Sequence, residues 1–125
     1  MNRKELFKRI NQLCIKLDDS YDINCGGCCY VAACLAEQLT LYSIPYEVVH
    51  YDLWGCHYAI KVSDRYLNRA DYKKKEIIGI YEWTPERLFE EYYEESWNHR
   101  YNRRYNSTVK RAIIKVFKEY ENSRA

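Results

Sequence analysis

No stretch of this chain is apolar for long enough to cross a bilayer. A helical span needs about 20 apolar residues, and here charged residues interrupt every apolar run well before that. No membrane contact is therefore expected. A strong net charge is also missing: 20 Lys/Arg face 18 Asp/Glu over 125 residues, for a net charge of +2. That balance argues against charge-driven disorder and against the basic footprint of a nucleic-acid binder. The chain has no internal repeat and no low-complexity tract. Its N-terminus is charged and then amphipathic, without a basic tip followed by an apolar core, so no secretory leader is expected. With no leader, the six cysteines read as reduced thiols in a cytoplasmic setting rather than as a disulfide framework.

What is present suits a packed core. Apolar residues make up 47% of the chain, and its length matches one domain over residues 1–125. Leu6, Phe7, Ile10, Leu13, Cys14 and Leu17 recur at spacings of three and four, predicting a first helix over 3–17 that stops at Asp18-Asp19-Ser20. Cys28, Ala32, Leu35 and Leu39 predict a second over 28–42. Pro45 blocks further helix, and strands follow at 46–51, 56–62, 65–70 and 76–81. Thr84-Pro85-Glu86 combines a capping hydroxyl, a first-position proline and a first-turn acid, so a helix is predicted from there to about residue 95. Residues 97–106 are aromatic, basic and aperiodic and read as a loop. Asn106 or Ser107 then caps a last helix to about residue 121. The order is two helices, a small antiparallel sheet and two more helices, an α+β arrangement.

Charge is unevenly placed. Residues 82–95 carry six Glu against Arg87, and residues 97–125 carry eight Lys/Arg against Glu119 and Glu121. An acidic helix beside a basic one accounts for this. Tyr is abundant at 14, and several fall near the candidate site or in 92–105, as expected of a wet cleft.

The chemistry lies in two short runs. Gly26-Gly27-Cys28-Cys29 opens the second helix, and a thiol at a helix N-terminus is favoured as thiolate by the dipole. Gly55-Cys56-His57 opens a strand, so His57 could take the thiol proton, and Asn68 on the neighbouring strand could orient His57. If Ser63-Asp64 are the central residues of a two-residue turn, Val62 pairs with Arg65 and His57 lies opposite Ala70. Asn68 then shares the His57 face and Asp71 does not, although one extra loop residue would exchange the two. Cys14, Cys34 and Cys29 read as packing thiols. Cys25, Cys28, Cys56 and His57 could in principle hold zinc. However, adjacent strand residues point to opposite faces, and the spacing fits no common zinc ribbon.

These residues resemble the transglutaminase-like branch of the papain-like cysteine peptidases. The resemblance rests on Gly26-x-Cys28 opening a helix, on Ala32, Leu35 and Leu39, on Ile44-Pro45 and Val48, and on the block from His57 through Val62 to Asn68. It covers residues 24–70, with Ser43 where glycine is usual and Asn68 where the branch usually has Asp. It implies a papain-like core and acyl transfer at amide or peptide bonds through Cys28, His57 and Asn68, with no cofactor. The Cys28 backbone N–H would stabilise an oxyanion, helped by Asn24 or by the Trp54 ring. Apart from the resemblance, the aromatic and basic make-up of 97–105 suits either a cleft rim, where Trp97, Arg100 and Tyr101 would select substrate, or a loop on the far side of the sheet. The rival reading is a catalytically silent domain of the same fold that binds a protein partner or an acidic, phosphate-bearing ligand.

Overall fold

The computed structural model describes residues 1–21, 28–52, 56–63, 65–68, 76–94 and 103–123. At positions 21, 51, 52, 56, 57, 76–78 and 103–105 it describes the backbone alone. The described elements run α1 (Arg3–Tyr21), α2 (Cys28–Leu41), β1 (Glu47–Asp52), β2 (Cys56–Val62), β3 (Arg65–Tyr66), β4 (Glu76–Tyr81), α3 (Pro85–Glu94) and α4 (Arg103–Ser123). The strands form one antiparallel sheet in the order β3-β2-β1-β4. This is the expected α+β architecture.

Local chemistry sets most boundaries. Asn2 caps α1, its Oδ1 accepting the Glu5 N–H at 2.9 Å. The helix continues through Asp18-Asp19-Ser20, where the sequence pattern predicts a stop. Cys14 and Leu17 are buried in the core, and that packing carries the last turn. Thr84 caps α3 as expected: its Oγ1 accepts the Arg87 N–H at 3.2 Å, and Pro85 follows as the first helical residue. The last helix starts at Arg103, earlier than predicted. Asn106 does not act as its cap, because its Oδ1 accepts the Tyr92 hydroxyl at 3.2 Å.

The core is a layer of helices against one face of the sheet. Eleven of the 14 residues of α2 are buried, so it is a central helix rather than an amphipathic one. It packs on β2, α3 and α4. Val48, Tyr58, Ile60 and Val62 face this layer from the sheet. The opposite face holds a second small cluster, Val49 and Ala59 with Tyr66 against them. From α4, Val109, Ile113, Phe117 and Tyr120 point inward at spacings of four, four and three.

The C-terminal end of α2 closes with a Schellman motif. The Ile44 N–H donates to the Leu39 carbonyl at 2.9 Å, and the Ser43 N–H donates to the Thr40 carbonyl at 3.1 Å. Ser43 takes φ 57°, the left-handed conformation in which glycine carries no steric cost. Ile44 then turns back into the core beside Leu39. Ser63 also takes a left-handed φ, 55°, as the first central position of the two-residue hairpin turns requires. The β2–β3 pairing starts at Val62↔Arg65, as the two-residue turn predicts.

Candidate active site

Cys28 is the first residue of α2 and exposes 3% of its surface. Cys14, Cys29 and Cys34 belong to the main apolar cluster, and all four of these thiols, Cys28 included, are buried. Desolvation pushes the Cys14 and Cys34 thiols up to about 12, so both are protonated at neutral pH. Lys110 opposes that rise at Cys34, but burial outweighs it. The Cys29 thiol donates to the Leu88 carbonyl at 3.3 Å, tying the start of α2 to α3. Tyr30 reinforces the same junction, with its ring 5.8 Å from that of Phe89 and 5.0 Å from that of Tyr92.

His57 lies in β2, paired with Tyr51 across β1. Because α2 packs on β2, the helix that starts at Cys28 and the strand that carries His57 are neighbours. The His57 side chain lies outside the described atoms. Tyr58, the next residue, faces the helical layer and Ala59 the other side, so the regular alternation of β2 gives position 57 the face of Ala59, away from α2.

Asn68 differs from the sequence expectation in how it is held. The predicted third strand over 65–70 ends at Tyr66, so Asn68 sits in a bend. Its pairing with β2 is made by the side chain. Oδ1 accepts the Ile60 N–H at 2.8 Å, and Nδ2 donates to the Tyr58 carbonyl at 3.0 Å. The carboxamide therefore stands in for a strand backbone. It is 2% exposed, so water does not compete for these bonds. Strand face separates Asn68 from Asp71 only along a regular strand, and β3 is not regular at Asn68. Asp71 lies outside the described residues.

Asn24, Trp54, Trp97, Arg100 and Tyr101, the expected oxyanion and rim residues, also lie outside the described residues, as does Cys25. Arg103 and Arg104, grouped with the expected loop, belong to the first turn of α4. Among the described residues, no group of three or more His, Cys, Asp or Glu is placed to hold a metal ion.

Two sets of residues that the sequence does not flag shape the start of β2. On the helical face, His50 stacks on Tyr58 with ring centroids 4.4 Å apart and planes 6° from parallel. The Tyr58 hydroxyl donates to Glu91 at 3.2 Å, and Glu91 pairs with Arg87 at 3.1 Å. Arg87 lies over the Trp83 ring at 5.1 Å. On the outer edge, Asn11 of α1 reaches the end of β3. In the orientation that the neighbouring carbonyls dictate, its Nδ2 donates to the Tyr66 carbonyl at 2.9 Å and also to the Leu67 carbonyl. The i,i+4 spacing of Arg87 and Glu91 is visible in sequence, but the Tyr58 contact is tertiary and carries no local signal.

No protein-family model, curated protein or solved structure matches this chain.

Proposed function

We propose that the chain is a cytoplasmic cysteine hydrolase or acyltransferase acting on amide or peptide bonds, on a single papain-like core of the transglutaminase-like kind. One observation carries this reading. A buried thiol begins a central helix, and that helix packs on the strand bearing His57. Cys28 is the nucleophile and His57 takes its proton. The Cys28 thiolate attacks the substrate carbonyl carbon, and the Cys28 backbone N–H stabilises the oxyanion together with Asn24 or Trp54. The C–N bond then breaks, His57 passes its proton to the departing amine, and a thioester remains on Cys28. Water or a second amine attacks the thioester, His57 takes the proton of that nucleophile, and the C–S bond breaks to return the thiolate. Trp97, Arg100 and Tyr101 select the substrate, and no cofactor enters.

Partial alkylation with iodoacetamide at neutral pH, mapped by mass spectrometry, tests this reading. Cys28 should react well before Cys14 and Cys34, and His57→Ala should slow it. Equal labelling of all three thiols, or no effect of His57→Ala, sinks the reading. The low exposure of Cys28, together with the β2 alternation that gives position 57 the face away from α2, favours a second reading, a silent domain of the same fold that binds a protein or an acidic ligand. It predicts that Cys28 labels as slowly as Cys34.

A further inference from the structure

The register of β2 on β3 makes Ile60 and Leu67 the next hydrogen-bonded pair beyond Val62↔Arg65. The Leu67 N–H does donate to the Ile60 carbonyl, at 2.8 Å. The reciprocal bond is rerouted. Asn11 holds the Leu67 carbonyl from the side of α1, and Asn68 Oδ1 takes the Ile60 N–H in its place. Asn68 Nδ2 then satisfies the Tyr58 carbonyl, the next outward group along the strand. Two amide side chains thus replace the end of a strand, and the last group they fix belongs to the residue adjoining His57.

We infer that Asn11 and Asn68 are positioning residues that set His57 through the backbone of β2. This rests on the reading of His57 as the base. The requirement at position 68 is for one donor and one acceptor on the same planar group. A carboxamide supplies both, whereas a carboxylate supplies acceptors alone. An Asp at 68 would set an anionic oxygen against the Tyr58 carbonyl in a site closed to water. The device therefore accounts for an Asn where the resemblance leads to Asp. Two of the four hydrogen bonds open to the Asn68 carboxamide go to β2, and Asn11 acts without belonging to either strand.

The test measures two quantities on the full chain. One is the pH profile of Cys28 alkylation. The other is hydrogen exchange at the Ile60 amide relative to Leu35 in the core of α2. Asn68→Asp and Asn11→Ala should each speed Ile60 exchange by roughly tenfold over Leu35, as expected for a local opening. Each should also move the Cys28 profile in the direction of His57→Ala; a displacement of one pH unit slows alkylation about tenfold on the acid side. Asn11 is half-exposed, so its variant keeps the test available if Asn68→Asp does not fold. An unchanged Ile60 amide overturns the inference. So does an Asn68→Asp or Asn11→Ala profile that matches wild type while His57→Ala still shifts it. If His57→Ala itself leaves the profile unmoved, the function reading has failed, and this inference falls with it.

Discussion

The two ends of α2 are built differently. At the C-terminal end the chain closes on itself through Schellman bonds, with Ser43 in a left-handed conformation and Ile44 folded back on Leu39. At the N-terminal end the fixing contacts come from elsewhere. Cys29 donates to the Leu88 carbonyl, and Tyr30 packs on Phe89 and Tyr92. Among the described residues, the C-terminal end combines local backbone geometry with Tyr42 packed on Phe117 and Tyr120 of α4, and the N-terminal end is tied to α3. Cys28, the first residue at the end tied to α3, is buried there. Farther inside, at Cys14 and Cys34, burial is the largest influence on the thiol.

The largest expected effect sharpens that contrast through pH. Cys14 and Cys34 titrate near 9.0 when unfolded and near 12 when folded. The native state therefore binds more protons than the unfolded state between those values. Their contribution is fully present below pH 9 and falls as pH rises, by up to about 1.4 kcal/mol per unit for each thiol. Denaturant titrations from pH 8 to 11 should show a steep loss of stability, and Cys14→Ala with Cys34→Ala should flatten the slope. Next in size, Leu39→Ala removes a fully buried side chain from the self-closed end and should cost about 3 kcal/mol in denaturant unfolding. If it loosened only the last turn of α2, that end would not be part of the cooperative core. Thr84→Ala weakens the start of α3, which secures the opposite end, and should cost about 1 kcal/mol by the same measurement. The smallest effect has the opposite sign. Ser43→Gly relieves the left-handed strain and should stabilise by about 0.5–1 kcal/mol, read as a higher midpoint. A loss instead would mean that the Ser43 side chain contributes more than the strain costs.

Elements with strong local signals were legible in sequence. The Thr84-Pro85-Glu86 start of α3, the two-residue turn at Ser63 and the apolar periodicity of α1 all lie where the residue types put them. The left-handed φ at Ser43 was legible only indirectly, as a position where glycine is usual. Boundaries set by tertiary contacts were not legible. Asp18-Asp19-Ser20 looks like a stop, but the packing of Cys14 and Leu17 carries α1 through it. Asn106 looks like a cap, but Tyr92 claims its carboxamide. The third strand looked regular through position 70 because the alternation continues in sequence, while the ladder is handed from backbone to side chain at Asn68. Of the candidate site, the order of helix start, strand and asparagine could be read in advance. The second-layer amide on α1 could not, because nothing in sequence links Asn11 to Leu67.

The short β3 has a bearing on how the molecule avoids sticking to itself. A strand that outruns its neighbour leaves bare amide and carbonyl groups, on which an extended segment of another chain can template. Here the two β2 groups just past β3, the Ile60 N–H and the Tyr58 carbonyl, are both taken up by Asn68. One asparagine thus serves as a stopper for this stretch of edge. A chain lacking it would leave that buried N–H and carbonyl without partners, and each local opening would bare them as a short adhesive seam beside Val49 and Ala59, so that assembly would be favoured beyond what the loss of stability alone would predict.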